Sequence, residues 1–200
     1  MKSSIFGAAL LCGAISSSVS AAITTYSSFI YWGEDVVAAG ESVATETFNS
    51  YDGFYNNPLT GSVGGINWSA TATGGLFCSS GYFSTNTASV AATFTFAPGV
   101  MSVGANIFGT DTNFNIVQAK ITITLADGSS YIALSNGPAD FVGFISNGAA
   151  ISSLSMNAVA TAGSTGYRFV TANNMYFGVV PAPGAAALIG LAALVSRRRR

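Results

Sequence analysis

The stretch VQAKITITLADGSSYIAL, Val117 to Leu134, decides the fold. Val117, Ala119, Ile121, Ile123 and Leu125 alternate with Gln118, Lys120, Thr122 and Thr124. Successive side chains of a strand point to opposite faces, so this period of two marks one apolar face and one wet face. Asp127-Gly128 is a turn pair that joins antiparallel strands, and Tyr131 to Leu134 supplies the return.

The same period runs outward in both directions. Upstream it passes through Val103, Ala105 and Ile107, through Val90, Ala92, Phe94 and Phe96, and through Ile66, Trp68, Ala70 and Ala72. Leu76 to Ser84 reads as two short pieces around Gly81. Downstream, Asp140 to Ile145, Ile151 to Val159 and Tyr167 to Gly178 give three more strands. Nearer the front, Ser42 to Asn49 alternates, and Tyr51 to Gly65 reads as a long loop. Tyr26 to Ala39, apolar at 29, 32, 36 and 37 and followed by Gly40, predicts a short amphipathic helix. Nothing alternates strands with long helices. The expected fold is therefore all-β: an antiparallel, jelly-roll-like β-sandwich of eight or nine strands with a short N-terminal helix.

Both ends of the chain break this pattern. Lys2, the apolar Ile5 to Ile15 and the small residues Ser16 to Ala22 read as a signal peptide, residues 1–22, with Val19-Ser20-Ala21 as the cleavage site. A lipoprotein reading of Cys12 is disfavoured by Leu11, where a small residue is expected. At the other end, residues 181–200 hold Pro181-Ala182-Pro183-Gly184, an apolar run from Ala185 to Val195, and the basic cluster Arg197, Arg198, Arg199 and Arg200. The run is apolar on every side, so it predicts a separate C-terminal hydrophobic helix that inserts into a membrane rather than a core helix with one wet face. At about 1.5 Å per residue it is shorter than the roughly 30 Å hydrocarbon layer, as suits a segment held briefly. The four arginines would stay on the cytoplasmic side.

These tail residues, with Val180 before them, resemble a PEP-CTERM sorting signal. The family usually has Glu where this chain has Ala182, and Pro-Ala-Pro-Gly is similar to a recognised subtype. The resemblance implies an exosortase-type membrane protease as partner, a transient anchor in the inner membrane, and delivery to the cell surface or extracellular matrix. The body, residues 23–180, resembles the recurring cargo domain of the same family. It does so in words such as Phe48-Asn49-Ser50-Tyr51, Asn106-Ile107-Phe108-Gly109-Thr110-Asp111 and Asp140-Phe141-Val142-Gly143-Phe144. That likeness implies a location and a fold class, and no chemistry.

Composition narrows the function. All eight acids lie in the body against two bases, Lys120 and Arg168, a net charge of −6 that the tail's arginines mask in the whole chain. A net acidic body argues against nucleic acid as a partner. The chain has no His, which removes Ser-His and Cys-His nucleophiles and His-ligated zinc, and the scattered acids show no pairing, so no catalytic residue is assigned. With Cys12 in the leader, Cys78 has no intramolecular disulfide partner and reads as a buried small hydrophobe.

Two binding readings remain. Asp111-Thr112-Asn113-Phe114-Asn115 has the first half of a calcium-loop spacing. Ile116 stands where that loop needs Gly and Thr122 where it needs Glu, so the stretch reads as a polar turn and no metal or other cofactor is assigned. A calcium held between strands would draw on Glu46 and Asn174. Carbohydrate is the second reading, because a ring face covers the apolar face of a sugar. Of Tyr51, Phe54, Tyr55, Trp68 and Tyr82, the loop residues Tyr51, Phe54 and Tyr55 are the expected contacts with polysaccharide, and Trp68 is expected in the core. The leading expectation is a non-enzymatic exported surface or matrix protein, and the alternative is a carbohydrate-binding module.

Overall fold

The computed structural model describes residues 22–180. Most of the leader and the whole C-terminal tail lie outside the described residues. The expected sorting-signal residues Pro181, Ala182, Pro183, Gly184, Arg197, Arg198, Arg199 and Arg200 all fall there, and so does the expected tail helix.

The chain opens with a strand that periodicity did not show, β1 (Ile23–Tyr26), so the helix α1 (Phe29–Ala38) starts later than expected. Trp32 and Val36, one turn apart, are fully buried and fix its inner face. Gly40 ends it at φ +82, where glycine carries no Cβ penalty, and the amides of Gly40 and Glu41 return to the carbonyls of Val37 and Val36. β2 (Ser42–Glu46) follows.

The expected loop from 51 to 65 instead contains β3 (Gly53–Tyr55) and β4 (Leu59–Val63), the latter in a hairpin with β5 (Ile66–Ala72). Gly61 hid the alternation of β4. It takes an inward position opposite Trp68, where any Cβ would run into the Trp68 ring and the Tyr51 hydroxyl. The hairpin β6 (Leu76–Ser79) and β7 (Tyr82–Thr85) turns through Ser80 and Gly81, both at positive φ, which matches the right-handed twist of the strands. β8 (Ala92–Phe96), β9 (Ser102–Thr110), β10 (Ile116–Val117), β11 (Ala119–Leu125) and β12 (Ser130–Ser135) come next. β13 (Phe141–Ser146), β14 (Ser153–Val159) and β15 (Phe169–Val179) complete the described chain. Among the described residues the strands number fifteen rather than eight or nine, because several short pieces pair where the sequence showed only loop.

The pairings among these strands are antiparallel and form two sheets. The larger runs β1-β13-β9-β15-β7-β6-β3, with β10 on β9 and β2 on β15, and the smaller runs β12-β11-β14-β8-β5-β4. The inner faces share one core, in which Phe83 lies 4.8 Å from Phe94 and 5.2 Å from Phe48, ring to ring, and Phe96 lies 5.5 Å from Phe177. The fold is an all-β sandwich.

The larger sheet also buries part of its outer face. α1 lies there, and Trp32, Val36, Phe141 and Ile145 form a second small core. β13 and the first half of β9 are buried on both faces for this reason. Close approach needs the cross-strand glycine pair Gly104 and Gly143, since a Cβ on Gly143 would sit 2.5 Å from the Trp32 ring. Trp32 Nε1 donates to the Phe144 carbonyl at 3.3 Å.

Gly143→Ala should therefore lower stability by about 1–3 kcal/mol through overpacking. Gly33→Ala, in open space within α1, should raise it by roughly 0.5–1 kcal/mol. Thermal unfolding of the two variants should show midpoints moving in opposite directions.

Candidate functional site

The five aromatic residues singled out in the sequence do not share one face. Tyr51, Tyr55 and Trp68 close the edge of the core: the Tyr51 ring lies 5.8 Å from Trp68 and 6.1 Å from Tyr55. Tyr51 donates to the Thr60 carbonyl at 3.3 Å, and the Tyr55 hydroxyl accepts from the Asp52 amide at 3.0 Å. Burial, then the charge of Glu46, raises the Tyr51 phenol above its ordinary value. Phe54 takes the other side of β3. It stands opposite Phe77 in the β3–β6 register, on the outer face of the larger sheet, and is half exposed. Tyr82 lies on that outer face too, in β7.

The calcium candidates are occupied by the fold. Glu46 accepts from the Phe48 amide at 2.9 Å and from Trp68 Nε1 at 3.3 Å. It pairs opposite Met175 and faces the core, whereas Asn174, the residue before Met175, projects outward. Asp111 braces its own turn, with Oδ1 taking the amides of Asn113 (2.8 Å) and Asn115 (3.0 Å) and Oδ2 taking the Asn115 side chain (3.1 Å). These bonds, the one from the Asn115 side chain foremost, hold its carboxyl below the usual aspartate range. Among the described residues no three acidic or cysteine side chains gather to hold a metal ion. Cys78 is a free thiol buried in the core, pushed up to about 12 first by burial and then by Glu46 and Asp52.

What the structure does bring together lies on the outer face of the larger sheet, beyond the reach of α1. An open groove of about 420 Å³ runs there, within the roughly 300–1,000 Å³ range of small-molecule sites. Tyr82 stands edge-on to Phe108 at 5.8 Å and forms one wall. Phe114 lies over Phe77 at 5.4 Å and forms the other. A second basin of about 240 Å³, lined also by Asp111, shares Phe77, Phe114, Ser84 and Thr110 with the first, so the Phe77–Phe114 pair stands between two adjoining spaces.

The floor is a chain of hydroxyls. Thr110 Oγ1 and Thr171 Oγ1 are 2.8 Å apart, Thr171 donates to Ser84 Oγ at 3.2 Å, and Ser84 donates to the Thr85 carbonyl at 3.1 Å. Each hydroxyl owns one proton and two lone pairs. The carbonyl can only accept, so Ser84 spends its proton there. Thr171 has Ser84 and, at 3.5 Å, the Phe169 carbonyl as acceptors, and either Thr110 or Thr171 can donate in the bond between them. The floor is thus a run of hydrogen-bonded hydroxyls, with Ser79 and Ser80 beside it on the groove.

Phe114 is held in the groove wall at φ +62, a left-handed conformation that bulky residues rarely adopt. The Asp111 bonds impose it, together with the Phe114 amide on the Asp111 carbonyl and the Asp111 amide on the Asn115 carbonyl. The sequence did not point to Phe77, Phe108 or Phe114. The available signal was an aromatic residue at the tip of an otherwise polar turn, Asp-Thr-Asn-Phe-Asn, where nothing structural calls for a ring.

Fold and groove together define a β-sandwich with an open, ligand-sized groove on one outer face. In comparisons with family models, curated proteins and solved structures, nothing matches the chain.

Loss of the Asp111 bonds in Asp111→Ala should loosen the turn, seen as faster amide exchange at Asn113 and Asn115. The Cys78 thiol should resist alkylation at pH 8 in the folded protein and react at once in denaturant.

Proposed function

We propose that this chain is a non-enzymatic, exported protein of the cell surface or extracellular matrix, delivered by a C-terminal sorting signal of PEP-CTERM type. The observation that carries the reading is the tail sequence, in which Pro181-Ala182-Pro183-Gly184 precedes an all-apolar run from Ala185 to Val195 and then Arg197, Arg198, Arg199 and Arg200. β1 begins at Ile23, and β15 ends at Val179. Cleavage after Ala21 or Ala22 would leave β1 whole, and removal of residues 181–200 would leave β15 whole.

The strand order supports the finer fold reading. β7-β15-β9-β13 in one sheet faces β8-β14-β11-β12 in the other, and the chain alternates between sheets from β7 to β9 and again from β12 to β15. Two interlocked Greek keys of this kind make a jelly roll. The partner implied by the tail is an exosortase-type membrane protease, acting while the apolar segment sits in the inner membrane with Arg197, Arg198, Arg199 and Arg200 on its cytoplasmic side.

The test is intact mass of the protein recovered from its native host, taken separately from culture supernatant and envelope. Supernatant protein should lack both the leader and residues near 181–200. Protein found only in the inner membrane with Arg200 still present would overturn the sorting reading and leave a plain single-helix anchor.

A further inference from the structure

We propose that the outer-face groove between Tyr82–Phe108 and Phe77–Phe114 binds a neutral polysaccharide. This goes beyond the export reading and holds whether or not the tail is processed.

The walls and the floor ask for different things from a ligand, and a sugar chain supplies both. The rings of Tyr82 and Phe114, 39% and 66% exposed, offer faces to an apolar C–H surface. The floor offers the hydroxyls of Thr110, Thr171 and Ser84, joined to one another and able to accept from a ligand's O–H groups. A polyol seated on it can extend that run of hydrogen bonds. An acyl chain would offer these hydroxyls no partner beyond one another. A carboxylate or phosphate would find no cation in the larger basin to neutralise it, and would face the Asp111 carboxylate in the second. The residues of the larger basin include no charged side chain, and the body's net charge of −6 further disfavours anions. A neutral, polyhydroxylated ligand with apolar faces is what remains.

The groove is built for a chain rather than a single ring. The second basin continues past the Phe77–Phe114 pair. On the outer face, Phe54, Phe77, Ser84, Thr171 and Phe108 lie side by side across β3, β6, β7, β15 and β9. Neighbouring strands are about 4.8 Å apart, so this row is about 19 Å long. Phe54, expected as a sugar contact from the sequence, stands at its far end. The left-handed Phe114 adds an independent sign, since a bulky residue in that region costs of order 1–3 kcal/mol and such residues cluster at ligand clamps.

Affinity electrophoresis of the host-derived protein tests this, in gels carrying dextran, mixed-linkage β-glucan, galactomannan or xylan, with alginate as the anionic comparison. At least one neutral glycan should retard the protein and alginate should not. Phe114→Ala and Tyr82→Ala should each weaken the retarding interaction about tenfold, and Thr171→Val, which keeps the shape and removes the hydroxyl, should weaken it too. Ile132→Ala, exposed on the other sheet, should change nothing. Thermal unfolding midpoints of the four variants confirm that each is folded. Retardation by alginate alone, by none of the four neutral glycans, or undiminished in both Phe114→Ala and Tyr82→Ala would overturn the proposal.

Discussion

One extra residue keeps the larger sheet in phase. β15 is the hub of that sheet, paired along one edge with β9 and along the other first with β7 and then with β2. Its inward side chains are Val170 and Ala172, then Met175 and Phe177, all fully buried. Strict alternation cannot place both pairs on the same face, because Met175 follows Ala172 by three positions, an odd number. The ladder to β9 skips a register between Ala172 and Asn174, and the residue left over is Asn173. A one-residue slip without that bulge would turn Met175 and Phe177 out of the core.

The outer face is divided at the same place. On the β2 side of the bulge, Tyr176 and Val43 meet α1, and the glycine pair lets Trp32 down onto the backbone. On the β7 side the outward residue is Thr171, and no described helix covers it. One half of the face is filled with rings, the other lined with hydroxyls and walled by rings that stand apart. A sheet that needed only a core would have no use for this second half. Its polar floor is kept from solvent on the protein side yet left open above, an arrangement that serves contact with something outside the molecule.

Alternation showed the sandwich and hid how its strands divide between the sheets. The run from Val117 to Leu125 keeps a perfect period, yet Val117 pairs with β9 in one sheet and Ala119 begins a strand of the other. Gln118 is the corner, its carbonyl held by buried Arg168 at 2.9 Å. Side-chain periodicity continues smoothly through such a corner because the inward direction does not change when the chain crosses between sheets. β13 and the first half of β9 obscure the pattern for the opposite reason, since α1 buries a face that the period marks as wet. The groove was less legible still. Tyr82 and Phe54 stood among the aromatic residues considered, but Phe77 and Phe108 look like any core residue in a strand. Their common wall with Phe114 arises only when β6, β7, β15 and β9 are laid side by side.

The larger basin carries no charge of its own. Its lining includes no carboxylate, amine or guanidinium for salt to screen, whereas the second basin is lined by Asp111. Whatever rests in the larger basin is held by shape and by uncharged hydroxyls, so its grip there is little altered by the ionic strength of the surroundings.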